Sequence, residues 1–198
     1  MKSYLVRILS TFAFLCGLFV AGHARAESAE AFVKSRQDEL SAILRKPDTA
    51  ATQKEIGAVF DRMLDYDKLA KDSLGAHWDK LNAEQQKEFQ GLLTNLVQRA
   101  YKRNLRKTLD FNVTFKGQDS ATKGYLVQTV ARHKTDNRQE PISVDYALHQ
   151  TGGQWRIYDI ITEGSSLVAN YKSQFRRIIE KNGYDALIER MKKKQQEE

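Results

Sequence analysis

Residues 154–175 read QWRIYDIITEGSSLVANYKSQF, and this stretch decides the fold. It opens as a strand with apolar side chains on both faces: Trp155, Ile157 and Ile161 alternate against Tyr158 and Ile160. Glu163-Gly164 breaks the strand, and Ser165 is placed to cap a helix whose apolar stripe is Leu167, Val168, Tyr171 and Phe175. A strand apolar on both faces needs cover on both sides. A chain with one layer of helix to spare leaves one face open to an apolar guest.

Upstream of this stretch the period is 2. Phe111, Val113 and Phe115 alternate with Asn112, Thr114 and Lys116, and residues 125–131 and 142–148 alternate in the same way. In the last of these Ile142, Val144, Tyr146 and Leu148 share a face. Asp136-Asn137 and Gly152-Gly153 supply turns, so four consecutive strands form an antiparallel meander.

Before the strands the period is 3.6. The spacing predicts helices over residues 28–44 (Phe32, Leu40, Ile43, Leu44), 52–64 (Ile56, Val59, Phe60, Met63) and 68–78, with Tyr66-Asp67 as a connector. Pro47 bounds the first of them. Asn82 caps the longest helix, in which Phe89, Leu92, Leu93, Leu96, Val97, Ala100, Tyr101 and Leu105 follow the i, i+3, i+4 rule opposite a face of Gln, Lys and Arg. Two more helices, 165–182 and 184–194, end the chain with Gly183 between them. Helices, then a meander, then helices give an α+β fold: a curved antiparallel four-stranded sheet wrapped by N- and C-terminal helices around an apolar cavity.

The first 26 residues have a different character. Lys2 and Arg7 precede an apolar run from Ile8 to Val20, and Ala24-Arg25-Ala26 offers a small-residue cleavage site. We read residues 1–26 as a secretory signal peptide and 27–198 as one domain. The only cysteine, Cys16, would leave with the leader, so the mature chain would fold without disulfides in a compartment that permits them. Loss of Lys2, Arg7 and Arg25 takes the formal charge from +7 to +4. The excess gathers at Lys102, Arg103, Arg106 and Lys107, at Arg176 and Arg177, and at Lys192 to Lys194. These are solvated helix faces or a surface drawn to anionic lipid or an acidic partner. No stacking aromatics interleave them, which argues against nucleic acid.

Three blocks of this sequence resemble the MlaC, or toluene-tolerance, family of periplasmic phospholipid carriers. The first is W-R-I-Y-D-I-I-x-E-G-S-S-L-V-x-N-Y-x-S-Q-F from Trp155. The second runs from Leu64-Asp65-Tyr66-Asp67 through Leu74-Gly75-x-His77-Trp78 to Asn82-Ala83-Glu84-Gln85-Gln86. The third is Ile178-Ile179 followed by Asn182-Gly183-Tyr184-Asp185-Ala186-Leu187-Ile188. Ser165 departs from the pattern, since many members carry a hydrophobic residue there. The resemblance implies an NTF2-like cone holding phospholipid between helices and sheet. It also implies a monomeric periplasmic carrier with no cofactor. Its partners would be an outer-membrane lipoprotein complex and the lipid-binding subunit of an inner-membrane ABC transporter, with transient proximity to the membranes.

Cavity-lining candidates are Val59, Phe60 and Met63 from the early helix, and Leu92, Leu93, Leu96 and Tyr101 from the long one. The sheet offers Val127, Val144, Tyr146, Trp155, Ile157 and Ile161, while Leu167, Val168 and Tyr171 fall near the mouth. Each could equally be plain core. An enzyme of NTF2-like shape would use Asp159, which strand alternation puts beside Trp155 and Ile157; the structural alternative is a pin that hydrogen-bonds its neighbours. Asp145 and His149 fall on the solvated side. Three separated histidines and no mature cysteine give no metal-site spacing. A third possibility is an adaptor whose apolar surplus is a protein interface.

Overall fold

The structure, a computed structural model, describes residues 27–121 and 124–197; residues 1–26, read from the sequence as a signal peptide, lie outside them. Helix α1 (Ala29–Leu44) starts where Ser28 accepts a hydrogen bond from the Ala31 amide. Helix α2 (Ala50–Met63) starts in the same way at Thr49. Helix α3 (Tyr66–Leu74) begins earlier than expected, because Asp65 rather than a later residue caps it: its carboxylate accepts from the Lys68 amide at 2.8 Å. Tyr66-Asp67 is therefore the first turn of a helix, not a connector. Gly75, at φ 56, ends α3, and residues Gly75–Lys80 continue as a 3-10 helix.

Helix α4 (Ala83–Leu105) carries the capping box that its sequence promises. Asn82 accepts from the Gln85 amide at 2.9 Å while the Gln85 side chain accepts from the Asn82 amide at 3.0 Å. After a 3-10 turn at Arg106–Asp110 the chain enters the sheet: β1 (Phe111–Ala121), β2 (Gly124–His133), β3 (Ile142–Thr151), β4 (Gln154–Thr162) and β5 (Ser165–Ser166). All neighbours are antiparallel in the order β1-β2-β3-β4-β5. The sheet thus has five strands, not four. The two residues after the Glu163-Gly164 turn fold back along Ile161 and Thr162 before α5 (Leu167–Asn182) begins, so Ser166, not Ser165, is its cap. Helix α6 (Tyr184–Glu197) follows Gly183 and extends past residue 194 into the polar end of the chain. Among the described residues no helix is long and apolar enough to cross a membrane.

A bulge in β4 changes which side chains share a face. Leu148 pairs with Ile157 but Ala147 pairs with Asp159, so Tyr158 is an extra residue without a partner on β3. Paired residues in an antiparallel sheet lie on the same face. Rows therefore cross the inner face as Phe115–Thr129–Val144–Thr162, then Val127–Tyr146–Ile160, then Tyr125–Leu148–Ile157. Past the bulge Ile160 joins Ile157 on the inner face, and Asp159 and Ile161 turn to the other. The simple alternation of Trp155, Ile157 and Ile161 against Ile160 is overturned, because one inserted residue reverses every later side chain.

Helices cover the inner face. Glu27 accepts from the Trp155 indole at 2.6 Å through its backbone carbonyl, and the Glu30 amide donates to Gln118 at 2.9 Å. The α2–α3 junction closes the edge of β4: Leu64 bridges Ile157, and the Asp65 amide donates to the Ile157 carbonyl at 2.8 Å. Asp65 also stands 2.6 Å from His149 Nε2, so His149 is paired rather than solvated. Aromatic rings run through the helical layer. Tyr171 stacks on Phe175 at 5.2 Å, Phe175 meets Phe89 edge-on at 5.5 Å, and Phe89 meets Trp78 at 6.5 Å.

Gly124 starts β2 at φ +140, and a Cβ there would lie 1.9 Å from the Leu148 carbonyl oxygen. Both the backbone region and the contact demand glycine. Gly124→Ala is expected to cost about 3 kcal/mol, read as a lower urea midpoint at unchanged slope.

Candidate functional site

Two layers meet at the inner face of the sheet. From the helices come Val59, Phe60 and Met63 of α2 and Leu93, Leu96 and Val97 of α4; from the sheet come Val127, Leu148, Ile157 and Ile160, and all of these are buried. Tyr101, Val144, Tyr146, Trp155, Leu167, Val168 and Tyr171 are half-buried and pack against that core. Most of the residues singled out in the sequence are thus brought together, the deep ones as core and the half-buried ones as its margin. One is not: Ile161 lies on the opposite face because of the β4 bulge. Leu92 is buried in the same core and also borders a concavity along α4.

That concavity, about 470 Å³, lies along α4 and the end of α6 and is lined by Glu84, Lys87, Glu88, Gly91, Leu92, Asn95 and Gln195. A second, about 250 Å³, is lined by Leu44, Asp48, Gln53, Ile56, Lys102 and Arg106. Neither is the hollow expected between α4 and the meander. There the deep rows are closely packed: Val59, Val127, Leu148 and Ile157 are each 0 % exposed. Accessible apolar surface persists at the margin instead, along the Phe115–Val144 row and the start of α5.

The margin has a polar feature. Tyr146 projects from the middle of β3, and Gln37 of α1 donates to its hydroxyl at 3.0 Å. Tyr101 approaches from α4, its ring 6.0 Å from that of Phe60. Burial pushes the Tyr101 hydroxyl well above its ordinary ionisation range, and the neighbouring Tyr146, Tyr171 and Asp159 add to the effect. Burial likewise raises Tyr146, opposed by the Gln37 hydrogen bond. Both phenols are therefore neutral donors. Gln37 was not singled out in the sequence, and the signal for it is its place at helical spacing on the buried stripe of Val33, Leu40 and Leu44. A polar residue on such a stripe calls for a buried partner.

Asp159 serves as a structural pin. Its carboxylate accepts from the Ser166 hydroxyl at 2.5 Å, from the Val168 amide at 3.1 Å and from the Ile160 amide at 2.9 Å, fixing the start of α5 against β4. Asp159→Ala is expected to lower stability by about 1–3 kcal/mol, measured by denaturant titration, by freeing the first turn of α5. Two histidines are likewise engaged. The His133 ring accepts from the Asp136 amide at 3.0 Å, and His149 faces Asp65 and the Tyr158 ring. Among the described residues no three His, Cys, Asp or Glu side chains converge as a metal site would require.

The basic clusters are partly structural. Arg106 donates to the Leu44 carbonyl at 2.6 Å and to the Lys46 carbonyl at 3.3 Å, satisfying the end of α1. Lys192 pairs with Glu88 at 2.8 Å and joins α6 to α4.

An antiparallel sheet has its apolar face enclosed by helices and margined by aromatic residues, with Asp159, Asp65, His133 and His149 tied into the scaffold. The chain belongs to the MlaC protein family, which it matches over residues 34–193. It is similar in structure to a phospholipid-binding protein from Ralstonia solanacearum solved in complex with a phospholipid. That similarity has a TM-score of 0.73 at 24% identity and covers 86% of this chain and 98% of the other. No curated relative matches the chain.

Proposed function

We propose that this protein is a carrier of glycerophospholipids that performs no chemistry. The observation that carries the reading is membership of the MlaC family, together with a fold shared with a phospholipid-binding protein. Its own residues support the same view: an aromatic and aliphatic margin opens onto the enclosed face, while Asp159 is committed to capping α5. In this reading residues 1–26 are a cleaved leader and the mature domain works as a monomer in the periplasm. It takes lipid from an outer-membrane lipoprotein complex and delivers it to an inner-membrane ABC transporter, or the reverse, and so maintains outer-membrane lipid asymmetry.

Energetics constrain how such a carrier works. Each methylene removed from water contributes about 0.8 kcal/mol, so two acyl chains represent on the order of 20 kcal/mol before ordering costs. Release into water is correspondingly slow, and the acceptor must take the chains directly. The deep rows are packed, so entry requires α4 and α5 to part from the sheet. The Leu167, Val168 and Tyr171 edge is the natural place for that parting, since these side chains are only half-buried.

Organic extraction of the purified protein followed by mass spectrometry tests the reading. Co-purified phospholipid in near-stoichiometric amount is expected. Protein that carries none, and that takes none from phospholipid vesicles, would refute it.

A further inference from the structure

We propose that the hydroxyls of Tyr101 and Tyr146 are a donor pair for the ester carbonyl oxygens of a diacyl lipid, with Gln37 as the residue that positions Tyr146. This assignment rests on the carrier reading above and adds to it a chemical criterion for the ligand.

Three observations lead to it. First, Gln37 donates to the Tyr146 oxygen at 3.0 Å, which occupies a lone pair and leaves the O–H proton to be given to another acceptor. Second, the Tyr101 hydroxyl has no hydrogen-bond partner among the described residues, although its ring is held against Phe60. Its O–H proton is therefore free to be given to an acceptor that arrives with a ligand. Third, Tyr146 lies at a boundary in the sheet. Behind Tyr146, Leu148 and Ile157 are fully buried, whereas in front of it Phe115 and Val144 are half-buried.

A glycerophospholipid changes polarity in the same order: hydrocarbon, then ester carbonyls, then phosphate. Chains directed toward the Leu148–Ile157 row and a headgroup beyond Val144 and Leu167 leave the carbonyls level with the two phenols. The donors also match in kind. Both phenols stay neutral, and Asp159 lies near enough to act on Tyr101, so a neutral carbonyl suits the site better than a second anion.

Competition between a diacyl phosphatidylglycerol and its dialkyl ether analogue of equal chain length isolates this contact, because the ether lacks only the carbonyl oxygens. The protein is equilibrated with vesicles containing both in equal amounts, and the bound ratio is read by mass spectrometry. The native chain is expected to favour the ester about fivefold per hydroxyl. Tyr101→Phe, which breaks no hydrogen bond to the described residues, should lower that preference about fivefold. Tyr101→Phe with Tyr146→Phe should bring the ratio near one while ether binding is kept. A native chain that takes both lipids equally, or a Tyr101→Phe variant with an undiminished preference, overturns the assignment and leaves the carrier reading standing. A native chain that binds neither overturns the carrier reading itself.

Discussion

Val144→Arg is expected to give a folded protein that retains no phospholipid. Val144 lies on the central strand, on the inner face, and is only half-buried, so a longer side chain has room to leave the packed rows. A guanidinium placed there puts a charge where acyl chains would run. Keeping that charge beside hydrocarbon costs several kcal/mol, comparable with the gain from burying many methylenes. Lipid extracted per protein should therefore fall to background while circular dichroism stays native. Leu96→Arg also disrupts the enclosed face, but Leu96 is 7 % exposed within the core, and there the charge threatens the fold as well. A folded Val144→Arg protein with its full lipid complement would place the ligand away from the inner face.

Phe89→Ala is expected to destabilise the protein by about 3–5 kcal/mol. Phe89 is 0 % exposed and sits between Trp78 and Phe175, so its ring joins the 3-10 segment, α4 and α5. Removal leaves a cavity that none of the three can close without shifting. For a domain of this size that loss lowers the melting temperature by on the order of 10 °C in calorimetry. A drop of only about 1–2 °C would mean that the helical layer relaxes around the site, and that the aromatic chain from Tyr171 to Trp78 is not a rigid support.

The sequence carried the helices well and the sheet less completely, for physical reasons visible in particular residues. Asn82, Gln85 and the stripe from Phe89 to Leu105 announce α4 because cap and period are local signals. The β4 bulge has no such signal. Tyr158 is an ordinary strand residue by composition, and only its pairing with β3 makes it surplus, so simple alternation puts Asp159 and Ile161 on the wrong face. β5 was hidden for a related reason, since two serines after a turn look like a helix cap until Ile161 and Thr162 pair with them. The Asp65–His149 contact joins residues 84 positions apart, and nothing in either neighbourhood foretells the other. Of the candidate site, the apolar margin was legible from alternation and helical spacing. The close packing behind it was not, because periodicity shows which face a side chain takes but not how tightly the opposite layer fits.

The way α1 is attached to the sheet governs the order in which the chain can be built. Its three anchors, Gln118, Tyr146 and Trp155, are 88, 109 and 128 residues from their partners Glu30, Gln37 and Glu27. Contacts so distant in sequence form late and slowly. The earliest helix to be synthesised therefore waits for nearly the last strand, and a nascent chain that stops short of Trp155 has no finished surface on which α1 can settle.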